Sequence, residues 1–191
     1  MKALLLNGAK VGDAAVDRVG TVLLEELQAR GWAVDAFVLR DLAIAPCSGC
    51  FGCWTKTPGR CGTDDASQTL ARLFVHCDLL ALLTPVTFGG YSSELKKAMD
   101  RMICIALPFF RKVKGEVHHQ LRYDQQPRLL ALGLLDQPDE ESERVFQALV
   151  ARNALNFGSP EHVAGVLPKN PTAEAMGREV RGLLARLEMT V

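Results

Sequence analysis

Three stretches of this 191-residue chain carry residues whose types and spacing could do chemistry. The first is Cys47-x2-Cys50-x2-Cys53-x7-Cys61. Thiolates suit both zinc and an iron–sulfur cluster, so four of them in one loop could ligate either. The same four could form a reversible disulfide, or pack the loop as small apolar side chains. Ligation requires all four sulfurs to converge on one point. The second stretch is Thr84-Pro-Val-Thr-Phe-Gly-Gly-Tyr-Ser-Ser-Glu-Leu-Lys96. Gly89 and Gly90 let backbone approach a ligand closely. Amides aimed at heteroatoms, with Phe88 or Tyr91 against a face, would suit the edge of a flat redox-active ring. A tight turn leading into a helix accounts for the same residues. The third is Asn7-Gly-Ala-Lys-Val-Gly-Asp13. It precedes a helix, whose first amides and dipole favour anions, and Lys10 adds positive charge. Asp13 could itself cap that helix and compete with an anion for the amides.

Other reactive residues read more plainly. Cys77 and Cys104 fall in helical patterns and are expected to pack the core. His118 and His119 are adjacent and are expected at the surface. Pro108 to Gln126 is irregular and mixed in charge; its first part, to His119, reads as an insertion, a lid or a dimer arm carrying Phe109, Phe110 and Arg111 toward a neighbour. There is no serine-protease-like triad, zinc-protease motif or P-loop.

The elements that must position these stretches alternate between strand and helix. Strands are expected at Lys2 to Leu6, Trp32 to Leu39, Asp78 to Leu83, Pro127 to Leu135 and Glu161 to Leu167. Helical spacing runs through Ala14 to Arg30, with Gly31 closing it. A second helix is expected from an N-cap at Thr63 to about Val75, with Asp64 and Asp65 in its first turn. Ser92 or Ser93 caps a third, Glu141 to Asn156 forms a fourth, and Asn170-Pro171 opens a fifth. Strands apolar on both faces indicate a parallel sheet covered on each side. The expected fold is therefore α/β: one flavodoxin-like domain over residues 1–191, a three-layer sandwich whose five-stranded parallel sheet has the order 2-1-3-4-5. That order opens a crevice where it reverses, at the carboxyl ends of strands 1 and 3, and the second and third stretches both lead into it.

Composition narrows the classes of function. Lys plus Arg equals Asp plus Glu at 22 each, which gives no support for a nucleic-acid partner. The first apolar run, Ala3 to Leu6, is too short for a signal-peptide core or a membrane span, so a cytoplasmic location and reduced thiols are expected.

Pro46-Cys-Ser-Gly-Cys-Phe-Gly-Cys-Trp54, followed by Thr57-Pro-Gly-Arg-Cys-Gly-Thr-Asp-Asp65, resembles the NADPH-dependent FMN reductase family of flavodoxin-like proteins. Thr84 to Lys96, with Met99-Asp100-Arg101 after it, resembles the same family. The likeness covers residues 1–105; beyond it the agreement lies mainly in the strand and helix pattern. The resemblance implies noncovalently bound FMN, NADH or NADPH as electron donor, and a homodimer or homotetramer. Electrons would pass to a small-molecule or protein acceptor, such as a quinone, a metal ion or a flavin. It places the flavin ring against Pro85, Val86, Thr87, Phe88, Gly89 and Gly90. It places the phosphate against Asn7, Gly8, Ala9, Lys10, Gly12, Ala14 and Ala15. Relatives carry Ser or Thr where this chain has Ala9, Val11 and Ala14. Each hydrogen bond to a charged group lost in this way is worth about 1.5–3 kcal/mol. A subgroup, the iron–sulfur flavoproteins, implies a [4Fe–4S] cluster on Cys47, Cys50, Cys53 and Cys61. Three functions follow: an FMN-dependent NAD(P)H oxidoreductase, an electron-transfer protein with FMN and a cluster, or a binding protein that has lost FMN. The flavin would carry the chemistry, so no side chain is named as catalytic acid or base.

Overall fold

A computed structural model describes residues 1–188 of the chain. The expected helix–strand alternation forms around one parallel sheet. Its strands are β1 (Lys2–Asn7), β2 (Ala33–Val38), β3 (Leu79–Pro85), β6 (Arg128–Leu135) and β7 (His162–Pro168), in the order β2-β1-β3-β6-β7. Successive side chains on a strand point to opposite faces, so the apolar runs divide. Leu5, Leu79, Leu83 and Leu130 pack under α1 (Ala14–Ala29) and α6 (Ala173–Glu188). Leu4, Leu6, Leu80 and Leu82 pack against α3 (Ser67–Phe74), α4 (Ser93–Arg101) and α5 (Glu140–Phe157). A helix of one turn, α2 (Gly52–Thr55), lies within the cysteine segment.

The five strands of the sheet are those expected and keep their expected succession, but the order reads 2-1-3-6-7 rather than 2-1-3-4-5 because two further strands, outside the sheet, come before the fourth. The span read as irregular from Pro108 lies mostly in an antiparallel hairpin, β4 (Ala106–Val113) and β5 (Glu116–Leu121), which forms a separate two-stranded sheet. Lys114 and Gly115 join them with φ of 49° and 86°. Two positive φ values make the turn whose twist matches paired strands. Lysine there gives no turn signal, so the hairpin could not be read from the chain.

Two helix starts also differ. Thr63 does not open α3: Asp65 instead accepts hydrogen bonds from the Ser67 amide and hydroxyl, and the helix begins at Ser67. Asn170 does not cap α6, whose first turn is held by Thr172 Oγ1, accepting from the Ala175 amide at 3.1 Å. Ser92 caps α4 as expected. Among the described residues no helix is long and apolar enough to cross a membrane.

Candidate functional site

The carboxyl ends of β1 and β3 are tied together where the sheet order reverses. The Gly8 amide donates to the Leu83 carbonyl at 2.7 Å, and the Ser92 hydroxyl donates to the Gly8 carbonyl at 2.6 Å. Thr84 Oγ1 accepts from the Ser92 amide at 2.8 Å. Only glycine fits at position 8, since a Cβ there would stand 2.7 Å from Leu95 Cβ and from Ser92 Oγ.

Beyond Gly8 the loop turns its polar groups on itself. Asn7 Oδ1 accepts from the Ala9 amide, and Asn7 Nδ2 donates to Asp17. Arg40 grips Asp17 through two nitrogens, at 3.0 and 2.9 Å, and this hydrogen-bonded partner raises the arginine pKa. Asp13 sits at the N-cap position of α1 without capping it; its Oδ2 accepts from the Lys10 amide at 2.9 Å. Lys10, Val11 and Gly12 are exposed, and a Cβ on Gly12 would meet no atom within 4 Å. Among the described residues Lys10 forms no ion pair, whereas Lys169 close by is held by Asp136 at 2.8 Å. Ala14 is exposed and Ala15 half-buried at the start of α1.

The segment after β3 closes as a turn. The Thr87 and Gly90 amides each donate to the other's carbonyl at 2.9 Å, and Phe88 and Gly89 occupy the tip with φ of 50° and 71°. The Phe88 and Gly89 amides make no hydrogen bond among the described residues, and the Phe88 ring is fully exposed. The Val86 amide is taken by the Leu134 carbonyl. Pro85 ends the strand, so its lack of an amide costs the ladder nothing.

In the cysteine segment Cys47 and Cys50 are exposed, Cys61 is intermediate and Cys53 is buried. Among the described residues no three His, Cys, Asp or Glu side chains group closely enough to hold a metal ion. Hydrogen bonds from Gly52 and Ser48 lower the pKa of the Cys50 thiol; burial, then the neighbouring Cys61, raises that of Cys53. Cys104 packs against Cys53 and Ala71, as core packing predicts, so a fifth thiol lies beside the four. Nothing in its spacing signals that neighbour. The segment is anchored by Asp65, which accepts from the Ala45 amide and from Arg101, both at 3.0–3.1 Å.

A cavity of about 800 Å³ opens between the cysteine segment, α4, the hairpin and α5. Its lining reaches Gly90 and Tyr91 but none of residues 7–15 or 85–89, so it lies next to the crevice rather than within it. The two histidines expected at the surface are both engaged. His118 is buried between Asn156 Oδ1 and Glu116 Oε2. His119 lines the cavity between Trp54 and Phe110, with ring centroids 5.0 and 4.9 Å away. Asn153 and Asn156, three apart on one face of α5, also line it, and no motif marked them.

The sequence model for "NADPH-dependent FMN reductase" matches residues 1–118. An iron–sulfur flavoprotein of Methanocaldococcus jannaschii is 29% identical over 119 residues, 61% of either chain. One from Archaeoglobus fulgidus is 31% identical over 97 residues, 51% of this chain and 40% of that one. The chain thus spans less than two thirds of the length of these relatives. Solved structures share the fold at low identity. An FMN-dependent NADH-azoreductase from Bacillus anthracis, in complex with FMN, superposes with a TM-score of 0.69 at 16% identity, over 97% of this chain and 98% of that one. An NAD(P)H:quinone oxidoreductase from Methanothermobacter marburgensis gives 0.64 at 12% identity, over 100% and 96%.

Proposed function

The chain belongs to the NADPH-dependent FMN reductase family, and on that premise we propose that it is an FMN-dependent NAD(P)H oxidoreductase passing electrons to a small acceptor such as a quinone or a flavin. The observation that carries this reading is the tie from Gly8 to Leu83 and Ser92. It brings a helix N-terminus and the turn after β3 to one edge of the sheet. Two features there fit the cofactor. The open face of Gly12 beside the unpaired Lys10 suits a phosphate, and the unbonded Phe88 and Gly89 amides suit the polar edge of a ring. Asp13 opposes the fit, since its carboxylate already holds the Lys10 amide. Bound FMN would accept hydride from NAD(P)H and hand electrons on. The chain's part is to position and exclude. Gly8 permits the close approach of the two loops, and Thr84 and Ser92 fix the turn from beneath. Phe109, Phe110 and Val117, exposed on the hairpin, suit contact with a second copy in a homodimer or homotetramer. The test is the absorption spectrum of purified protein: a flavin spectrum that bleaches on anaerobic addition of NADPH is expected. Colourless protein that fails to quench added FMN rules the reading out.

A second reading adds a [4Fe–4S] cluster beside the flavin. The names of the curated relatives and the cysteine spacing favour it. The thiols as they lie do not fit a cluster, since Cys47 and Cys50 face solvent while Cys53 is buried, so the loop would have to fold inward. Stoichiometric iron and acid-labile sulfide in anaerobically purified protein support it; their absence removes it.

A further inference from the structure

We infer that the cavity between the cysteine segment and α5 is a binding slot for a flat aromatic molecule bearing a hydroxyl and a carbonyl oxygen, with His119 and Asn156 as its recognition groups. Its volume of about 800 Å³ is of ligand size. One wall is aromatic: Phe51 stacks on Trp54 at 5.5 Å, and Trp54 meets His119 at 5.0 Å. Met99, Ile105 and Leu149 add apolar surface. Such walls suit the face of a planar ring.

The polar groups fix what the ring carries. His119 Nδ1 lies 2.8 Å from the Leu107 carbonyl, which can only accept, so Nδ1 holds the hydrogen. In the neutral imidazole Nε2 is then an acceptor, and among the described residues it has no partner. It suits a ligand hydroxyl. Asn156 Oδ1 lies 2.8 Å from His118 Nδ1, and its Nδ2, which has no partner among the described residues, can donate to a ligand carbonyl. The slot deepens the reading above, because an electron acceptor needs a seat, and this one begins at Gly90 and Tyr91 where the turn after β3 ends.

The chain has two tryptophans. Trp32 is buried in the other layer beneath Arg128, so the Trp32→Phe variant leaves Trp54 as the reporter in the slot. The test titrates that variant, as purified, with 7-hydroxycoumarin and with coumarin, which lacks the hydroxyl. Both are expected to quench Trp54 saturably at one site per chain. His119→Phe keeps the stack and is expected to weaken 7-hydroxycoumarin about three- to tenfold, the worth of one neutral hydrogen bond, while leaving coumarin unchanged. Asn156→Ala, on a different element, is expected to weaken both. Circular dichroism melts confirm that each variant folds. No saturable quenching overturns the slot. Equal weakening of both ligands by His119→Phe, or none, overturns the recognition. Coumarin binding by protein that takes up no flavin leaves the slot and sinks the flavin reading; flavin without coumarin binding does the reverse.

Discussion

The sheet edge and the cysteine segment both carry specific motifs, yet they are held in opposite ways. At the edge, Asn7, Gly8, Thr84 and Ser92 are buried, and each is fixed by hydrogen bonds, within its own loop for Asn7 and Thr84 and across to the neighbouring loop for Gly8 and Ser92. The burden is spread over several short hydrogen bonds. The cysteine segment from Ala45 to Phe51 is exposed, and its thiols are free. Its main tie to the body is one carboxylate, Asp65, paired with the buried Arg101. An edge built this way can keep a crevice in shape without a ligand. A segment built this way can move as a unit, which a cluster or an entering acceptor would require.

The sharpest way to break the contrast is to remove that carboxylate. Asp65→Ala strands the Arg101 guanidinium, whose side chain is 3% exposed, without its partner. Leaving one member of a buried pair uncompensated costs about 3–5 kcal/mol, which denaturant unfolding would measure. Iodoacetamide labelling at native pH should change with it. In the wild type, exposed Cys50 with its lowered pKa reacts first, and Cys77, pushed up to about 12 by burial, reacts only on unfolding. In Asp65→Ala, Cys53 should join the fast class. Acid gives an independent check. Burial raises the Asp65 pKa, but the bonds from Ser67, Ala45 and Arg101 outweigh it and leave it depressed. Its stabilisation is thus complete above the ordinary carboxylate value and fades as pH falls through the lower folded value. The variant should lose that part of the acid limb. A melt unchanged by Asp65→Ala would mean the segment is held elsewhere.

At the edge the expected effect is smaller because the bonds share it. Ser92→Ala removes the cap of α4 and orphans the buried Gly8 carbonyl, for a loss of about 2–3 kcal/mol. Its signature is that Cys50 and Cys53 keep their wild-type labelling rates. Faster labelling of Cys53 would show that the two regions are coupled after all.

Asp13 probes the edge's tolerance for a ligand. Asp13→Ser removes an anion from the amides of the α1 loop and restores a hydroxyl. FMN affinity, read by quenching of flavin fluorescence, should rise about tenfold, equivalent to about 1.4 kcal/mol, with riboflavin unaffected. A parallel gain for riboflavin would show that the carboxylate acts on the fold and not on the phosphate.

What could be read from the chain follows the same division. The parallel sheet, its reversal point and the Ser92 cap were legible because strands apolar on both faces and a serine before a helix have few other uses. Gly8 and Gly89 were legible as loop and turn positions, whereas Phe88, expected against a ring face, takes the positive φ beside Gly89. The arrangement of the thiols was not, because spacing along a chain says nothing of which sulfurs face solvent. Nor were His119, Asn153 and Asn156, which reach one cavity from a hairpin and a helix that lie far apart in sequence. Asp65 was misread as a first-turn acid, since its real partner, Arg101, is 36 residues away.

The smallest effect tests the hairpin that closes the cavity. Lys114 holds φ of 49°, a conformation that costs an L-residue roughly 1–2 kcal/mol, next to Gly115 at 86°. Asparagine is the residue this turn favours at that position. Lys114→Asn should therefore stabilise the protein by about 0.5–1 kcal/mol, a rise of a degree or a few in Tm for a chain of this size. Lys114 is exposed and its turn lies outside the cavity lining, so neither coumarin binding nor thiol labelling should follow the change. If Tm rises and coumarin affinity rises with it, the hairpin is a mobile wall whose ordering limits binding. If Tm alone rises, the wall is already set by the Leu107 bond to His119, and only the cysteine segment is left to move when a ligand enters.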